Sequence, residues 1–396
     1  MGRTAVLQDI RMMRFEEIYG RYRQRRLSCA EASDLLGVTE RTFLRWRVRY
    51  EEEGLEGLCD GRLGRVSPRR APAAEAERIE RLYRERYQGW TVKHFHERAV
   101  ERHDLDYGYT WTKSVLYSRG AVTPARKRSA HRKARPRKPM RGMLVHQDGS
   151  RHAWLAGRPP LDLIVTLDDA TSEILSAFLV EEEGTLSTFR GLAEVIGRHG
   201  LFCALYTDRG SHYFHTPKAG EKVDPHRLTQ VGRALRQLGI RHIPAYSPEA
   251  RGRSERLFGT LQDRLVKELA DAAITAIEAA NRFLAEVYIP RHNARFAVDP
   301  EEPESAFMPY AGTAIEEVLC WQEDRVVGRD NTVRFDGRVL QLPPDPARHH
   351  WVRATVQVRR YADGRMALFH GPRAIARYDT DGQLMTLAKA TKPEAA

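Results

Sequence analysis

The order of apolar segments between residues 142 and 269 is the feature that most constrains how this chain can fold. Three strand-like segments come first, at 143–147, 161–167 and 174–180, and each is bounded by residues that favour turns. Short apolar segments separated by turns predict an antiparallel meander.

A second pattern follows the meander and alternates helices with strands. Helical periodicity covers 185–199 and 225–238, and short apolar strands are expected at 203–207 and 242–245, before a long amphipathic helix at 250–269. A strand reached through a helix usually joins its sheet in parallel. The whole order predicts a ribonuclease-H-like α/β domain with a mixed five-stranded sheet.

Basic charge is concentrated in the N-terminal third of the chain. Residues 1–141 carry 33 Lys and Arg against 19 Asp and Glu, whereas the remainder carries 32 against 34, and the formal net charge is +12 over 396 residues. An excess of this kind in one part of a chain indicates that this part holds a polyanion such as double-stranded DNA.

Composition also excludes several protein classes. The longest apolar runs are too short to cross a bilayer, and charged residues interrupt any signal-peptide core at the N-terminus. The four cysteines lie far apart, which fits a reducing cytoplasm and gives no metal-binding CxxC pair. We therefore expect a cytoplasmic protein, nucleoid-associated when bound to DNA, with no membrane partner and no small-molecule substrate.

A helix-turn-helix is expected at residues 28–50, within an all-α domain at 1–60. Gly37 ends the first helix and Thr39 can cap the second. Two helices joined by a glycine turn, with a basic second helix, are typical of a DNA-binding helix-turn-helix, although a helical hairpin with a solvated basic face fits the pattern too. Four arginines of the second helix are predicted to contact DNA: Arg41, Arg45, Arg47 and Arg49.

A second helical DNA-binding module is expected at 73–121, with Lys113 on its reading helix. The segment 122–141 that follows contains nine Lys or Arg, three prolines and no acid, which is typical of an extended basic linker. A linker of this kind either keeps the chain soluble or follows the phosphates of DNA. The predicted phosphate contacts there are Arg126, Lys127, Arg128, Arg132 and Lys133.

Three acids stand at informative positions in the predicted domain. Asp148 follows the first strand, Asp208 follows the fourth, and Glu255 lies at the margin of the apolar stripe of the long helix. If the first and fourth strands are neighbours, their ends bring Asp148 and Asp208 together, and the helix can present Glu255 to the same point.

Three clustered carboxylates repel one another unless a cation neutralises them. Hard oxygen ligands select Mg²⁺ or Mn²⁺, and two such ions about 3.5–4 Å apart suit in-line phosphoryl transfer. We therefore predict two metal ions held by Asp148, Asp208 and Glu255, one activating the attacking oxygen and the other stabilising the leaving 3′ oxygen. These three acids are the predicted catalytic and metal-binding residues.

Other side chains compete for these roles. Asp162 lies inside the apolar strand, Asp168 and Asp169 fit a turn as ordinary solvated carboxylates, and Glu249 precedes the long helix. His146 and His212 flank the proposed site, and packing or a surface position is expected for them as readily as catalysis, so we leave both out of the catalytic set.

Residues 142–310 resemble the catalytic core of the DDE transposases and retroviral-type integrases. The helix-turn-helix together with the pattern SP…GR-S-ER-LFGTLQDRL is similar to bacterial insertion-sequence transposases with an integrase-type core. The resemblance implies that Asp148, Asp208 and Glu255 are the three metal-binding acids of that family. Forty-six residues separate the second acid from the third, more than in many integrase relatives, and 215–230 reads as the insertion.

DNA at such a site is expected to contact the basic side chains around Glu255, which otherwise form a solvated helix face. These residues are Arg251, Arg253 and Arg256. Near the C-terminus, strand-like segments with Asp-Gly turns at 336–337 and 363–364 predict a small β-barrel domain at 316–380. In the family that the chain resembles, such a domain contacts DNA or a partner subunit.

The function implied is that of a DNA transposase that acts as a homo-oligomer on element ends and target DNA. It would bind the terminal inverted repeats of its element, cleave at the 3′ ends by metal-dependent hydrolysis, and join them to target DNA by transesterification. The alternative is a helix-turn-helix DNA-binding regulator with an inactive integrase-like core. A ribonuclease H or structure-specific nuclease is a third hypothesis, but it would not need two upstream DNA-reading modules.

Overall fold

The computed structural model describes residues 3–60, 71–124, 136–216, 222–224, 226–246, 252–345 and 348–385. The chain forms two compact units, Met1–Arg86 and Tyr87–Ala396. The predicted DNA contacts Arg126, Lys127, Arg128, Arg132, Lys133 and Arg251 lie outside the described residues, as do the competing acid Glu249 and part of the expected insertion at 215–230.

The first unit is all-helical. Its helices are α1 (Arg3–Arg23), α2 (Cys29–Leu36), α3 (Glu40–Glu53) and α4 (Ala73–Arg86), with a 3₁₀ turn at Gly54–Leu58.

Local capping sets the turn between α2 and α3. Ser28 and Glu31 form a capping box at the start of α2, and Gly37 ends that helix in the left-handed conformation at a φ of +67°. The Thr39 hydroxyl accepts a hydrogen bond from the Thr42 main chain and caps α3. The predicted helix-turn-helix is therefore confirmed.

The second unit contains helices and, among its described residues, four β-sheets. Its helices are α5 (Val92–Arg102), α6 (Tyr109–Ser118), α7 (Thr185–His199), α8 (Gln230–Gln237), α9 (Gly252–Asp271), α10 (Ile277–Phe283) and α11 (Ile289–Phe296), with short turns at Leu284–Tyr288 and Ile315–Glu317. Its strands are β1 (Met140–Arg141), β2 (Val145–His152), β3 (Leu161–Asp168), β4 (Ile174–Val180), β5 (Ala204–Thr207), β6 (Arg241–Pro244), β7 (Glu302–Ser305), β8 (Trp321–Val326), β9 (Thr332–Phe335), β10 (Arg338–Gln341), β11 (Thr355–Arg360), β12 (Met366–His370), β13 (Arg373–Tyr378) and β14 (Leu384–Met385).

The central sheet has the strand order β4-β3-β2-β5-β6. Strands β2, β3 and β4 are antiparallel neighbours, whereas β5 joins β2 in parallel and β6 joins β5 in parallel. The helix α7 between β4 and β5 allows this change of direction because a parallel connection needs a long crossover. The predicted mixed five-stranded sheet is confirmed.

Helices cover both faces of this sheet. On one face, Leu163 and Val165 of β3 pack against Phe258 and Leu265 of α9, together with α10 and α11. On the other face, the apolar side chains of α7 and α8 pack against β2, β4 and β5. Both faces are covered, which is why every residue of β3 is buried rather than every second one.

Buried ion pairs attach helix α5 to α9. Glu268 Oε2 lies 2.9 Å from Arg98 Nη2 and its Oε1 lies 3.1 Å from His94 Nε2, with the three side chains less than 10% exposed. One turn away, Arg264 Nη1 lies 2.7 Å from Glu97 Oε2. Helix α5 is therefore held to α9 by charged groups that are buried away from water.

The C-terminal strands form an antiparallel sheet in the order β14-β13-β12-β11-β8, with β9 and β10 as a separate hairpin. Asp336 and Gly337 both have positive φ and make the predicted two-residue turn of that hairpin. Among the described strands, β8 and β14 stay at opposite edges of the sheet. The small β domain is present, but the predicted barrel is not closed.

None of the described helices combines the length and the apolar character that a membrane span requires.

Candidate active site

Two of the predicted catalytic acids lie next to each other in the central sheet. Strands β2 and β5 pair in parallel, with Val145 opposite Leu205 and His146 opposite Tyr206. Two residues further along each strand, this register sets Asp148 beside Asp208, which directly follows β5. The register therefore aligns the positions of these two acids on neighbouring strands.

Main-chain groups orient both carboxylates. The Gly149 N–H donates to Asp148 Oδ1 at 3.1 Å, and the Gly210 N–H donates to Asp208 Oδ1 at 2.9 Å. Asp148 is only 8% exposed, and Asp208 is half-buried. These contacts restrict the rotamers of both acids, so their oxygens are held in place before anything binds to them.

The third predicted acid is not grouped with the other two. Glu255 lies in the first turn of α9, whose buried stripe includes Ser254 and Phe258, and its own side chain is exposed. Across the ranges that the structure describes, no three His, Cys, Asp or Glu side chains are arranged so that they could hold one metal ion. The catalytic role of Glu255 stays a prediction.

Asp169 anchors the start of α9 to the sheet. Its carboxylate lies 2.9 Å from Arg253 Nε, two residues before Glu255, and 2.8 Å from His146 Nε2. Burial alone would raise the pKa of this fully buried carboxyl. Hydrogen bonds from His146 and from the main chain of Lys138, with the charge of Arg253, outweigh the burial and lower the pKa to about 2.

The expectation that Asp168 and Asp169 are solvated turn residues is wrong, because both are fully buried. Asp168 accepts hydrogen bonds from the main chain of Gly142 at 2.8 Å and of Thr171 at 2.9 Å. Buried N–H groups require an acceptor, and Asp168 supplies it inside a turn that neighbouring segments cover. His146 is buried as well, and it contacts Asp169 and the ring of Tyr206.

Replacing Asp169 by asparagine is expected to remove part of the acid sensitivity of the fold. The folded-state pKa lies below that of an unfolded aspartate, so this carboxyl stabilises the fold above about pH 4, and its contribution of about 2 kcal/mol is lost as the pH falls towards 2. The measurement is the free energy of unfolding between pH 5 and pH 2.5 for wild type and Asp169→Asn. The exposed Asp363→Asn is the control, and identical pH profiles for all three proteins would contradict the assignment.

The predicted DNA-contacting residues occupy different environments. Arg41, Arg45 and Arg49 are exposed on α3, whereas Arg47 is one-third exposed and lies 3.7 Å from Glu51. Lys113 on α6 and Arg256 on α9 are exposed too. Arg253 is 17% exposed and forms the ion pair with Asp169 already described. Their contacts with DNA stay predictions.

Sequence reasoning missed three side chains behind β2: Gln147, Glu183 and Tyr213. The Tyr213 hydroxyl donates to Gln147 Oε1 at 3.3 Å, and Glu183 Oε1 lies 3.5 Å from the same hydroxyl. His212 Nε2 lies 3.6 Å from Glu183 Oε1. The only local sequence feature near this cluster is a run of three glutamates ending at Glu183, and such a run predicts a solvated turn.

Similar proteins have been identified by sequence. A family model described as a homeodomain-like domain, of the helix-turn-helix type, matches residues 18–59. The chain is 30% identical over 344 residues to the putative transposase y4bF of Sinorhizobium fredii, covering 86% of this chain and 75% of that protein. It is 27% identical over 340 residues to the transposase for insertion sequence IS1202 of Streptococcus pneumoniae, covering 76% of this chain and 72% of that protein.

Among solved structures, the chain is similar to the HTLV-2 integrase catalytic core domain in complex with magnesium. That likeness covers 36% of this chain and 82% of the other, at 16% identity and a TM-score of 0.29. The match to the Sinorhizobium protein extends over most of both sequences. The chain therefore belongs to the transposases.

Proposed function

We propose that this transposase cuts the 3′ ends of its element and joins them to target DNA at a site formed by Asp148, Asp208 and Glu255. The observation that carries the proposal is the parallel register of β2 and β5, which sets Asp148 and Asp208 side by side. Two adjacent carboxylates destabilise each other unless a cation lies between them, so the arrangement favours a metal site.

The donor set suits Mg²⁺ or Mn²⁺, because carboxylate oxygens are the ligands that these ions prefer. Asp148 and Asp208 would hold the ions, of which we expect two, and Glu255 would complete the set from the first turn of α9. When bound, the ions would activate the attacking oxygen and stabilise the leaving 3′ oxygen. The ion pair between Asp169 and Arg253 would help by fixing the turn of α9 that carries Glu255.

The proposed reaction has two steps. In the first, water attacks the phosphodiester at the element end, which leaves a 3′ hydroxyl on the element and a 5′ phosphate on the flanking strand. In the second, that 3′ hydroxyl attacks a phosphodiester of the target, and the target strand is released with its own 3′ hydroxyl. Neither step needs a covalent bond to the protein, which fits a site built from acids without a nucleophile.

The first unit supplies DNA recognition in this proposal. The exposed arginines of α3 lie on the second helix of the helix-turn-helix, the helix that enters the major groove in this motif. We propose that it reads the terminal inverted repeats, while the basic linker follows the phosphates. Two element ends must be joined together, so we expect a homo-oligomer assembled on DNA.

Arg45→Ala is expected to weaken binding to an element-end duplex by about 1–3 kcal/mol, the range for a side chain that reads a base edge. Arg47→Ala is the matched control on the same helix. Its guanidinium lies near Glu51 and within 3.4 Å of the Tyr22 hydroxyl, so it is less available to DNA. Fluorescence anisotropy with specific and scrambled duplexes makes the comparison, and an equal loss for both variants would contradict it.

Incubating the purified chain with a labelled element-end duplex, a target plasmid and Mg²⁺ tests the function. The proposal predicts a nick at the 3′ end of the element, followed by a joined product, and loss of both when EDTA removes the metal. Specific binding without nicking or joining would support the regulator hypothesis and overturn this one.

A further inference from the structure

A tyrosine hydroxyl lies buried behind the strand that carries Asp148. Tyr213 is 1% exposed, and its hydroxyl lies 3.3 Å from Gln147 Oε1 and 3.5 Å from Glu183 Oε1. Burial and the negative charge of Glu183 raise the pKa of Tyr213, so the hydroxyl keeps its proton and can donate to these acceptors.

The two acceptors, Gln147 and Glu183, hold the chain on either side of Asp148. Gln147 precedes Asp148, and Glu183 lies against Gly149, which follows it. Side chains alternate along a strand, so positions 147 and 149 face away from the side of the sheet that Asp148 faces. The Gln147 side-chain amide donates to Thr166 Oγ1 at 3.1 Å, which ties β2 to β3. At Gly149 there is no side chain, and a Cβ there would overlap the carboxylate of Glu183.

The same tyrosine belongs to the turn that begins at Asp208. The Tyr213 N–H donates to the Gly210 carbonyl at 2.9 Å, and the Gly210 N–H donates to Asp208 Oδ1 at 2.9 Å. The Asp208 turn and the Asp148 strand are therefore connected through one side chain, from the face opposite the carboxylates. The β2–β5 pairing itself ends at His146 and Tyr206, before it reaches either acid.

We propose that Tyr213 is a positioning residue whose hydroxyl sets the spacing of Asp148 and Asp208 by holding Gln147 and Glu183. This inference rests on the proposed function, because the spacing matters only if the two acids share metal ions. A tyrosine that merely filled the core would affect stability but not metal affinity. The hydroxyl therefore has an effect that can be separated from that of the ring.

The test compares Tyr213→Phe with Tyr378→Phe in the full chain. Tyr378 is a fully buried tyrosine of the C-terminal sheet whose hydroxyl donates to the Gln341 carbonyl at 2.8 Å, so both variants lose one buried hydroxyl. Mn²⁺ stabilises a protein that binds it in the folded state, so the melting temperature as a function of Mn²⁺ concentration gives the affinity. We expect the Mn²⁺ midpoint to rise about tenfold in Tyr213→Phe, as for other residues that orient metal ligands, and to stay unchanged in Tyr378→Phe.

A double variant covers the case in which Tyr213→Phe folds poorly. Gln147→Leu with Tyr213→Phe removes the hydroxyl together with its Gln147 acceptor, while Thr166 Oγ1 and Glu183 each lose one donor. Where this double variant folds without metal, it should keep the raised Mn²⁺ midpoint. A wild-type midpoint in the folded single or double variant would overturn the inference alone. A wild-type protein that Mn²⁺ does not stabilise would overturn it together with the proposed metal site.

Discussion

Replacing Asp208 by asparagine is expected to slow element-end cleavage and joining by about three orders of magnitude or more. Asparagine keeps the shape of the side chain and an oxygen for the Gly210 N–H, but it removes the charge that would hold a divalent cation. Charge stabilisation by metal ions is worth several kcal/mol at a phosphoryl transition state, and about 4 kcal/mol corresponds to a thousandfold in rate. Single-turnover cleavage of a labelled end duplex measures the loss.

Two comparisons separate this effect from misfolding or lost DNA binding. Asp363→Asn makes the same change in the exposed turn between β11 and β12, where the carboxylate pairs with Arg365, and it should cleave at the wild-type rate. Asp208→Asn should bind the end duplex as tightly as wild type. If it bound normally and still cleaved within about tenfold of wild type, Asp208 would not be a catalytic residue.

Truncating Glu268 to alanine is expected to lower the free energy of unfolding by about 3 kcal/mol, because the buried guanidinium of Arg98 loses its buried partner and keeps only the exposed Glu101. Burial opposes ionisation of Glu268, but a hydrogen bond from His94 and the charges of Arg98 and Arg291 outweigh it and lower its pKa. The carboxylate is thus charged in the fold and joins α5 to α9. Urea unfolding of the full chain measures the change.

A surface pair provides the control for Glu268. Arg325 and Glu323 lie 2.6 Å apart in the same unit with about 40% of each side chain exposed, and Glu323→Ala should cost less than about 1 kcal/mol. Arg98→Met with Glu268→Leu should recover part of the stability, because the buried charges are removed together while His94 Nε2 still loses its acceptor. Equal losses for Glu268→Ala and Glu323→Ala would show that the buried pair does not hold α5 in place.

Local chemistry explains why some features could be predicted from the sequence. Gly37 ends α2 by its left-handed conformation, and the Thr39 hydroxyl caps α3. A few neighbouring residues therefore determine the turn between the two helices. The alignment of Asp148 with Asp208 follows from strand order, because β5 is the parallel neighbour of β2. The expectation that Asp148 follows its strand is wrong, because β2 continues past it to His152. In both cases the information lies in short segments and in their order.

Features that depend on distant partners could not be predicted. Asp169 was expected in solvent, but it is buried against Arg253, 84 residues along the chain, whose approach depends on how α9 packs. The contact between Tyr213 and Gln147 spans 66 residues and has no periodic signature. Closure of the C-terminal barrel depends on whether the edge strands β8 and β14 meet, and their hairpin turns do not determine this.

The position of Mn²⁺ in a crystal of the protein bound to an element-end duplex tests the central claim most directly. Anomalous scattering locates this ion without reference to activity. The account predicts Mn²⁺ in contact with carboxylate oxygens of both Asp148 and Asp208, with Glu255 as the third ligand. Mn²⁺ held elsewhere, or by only one of the two strand acids, would contradict the assignment of the active site.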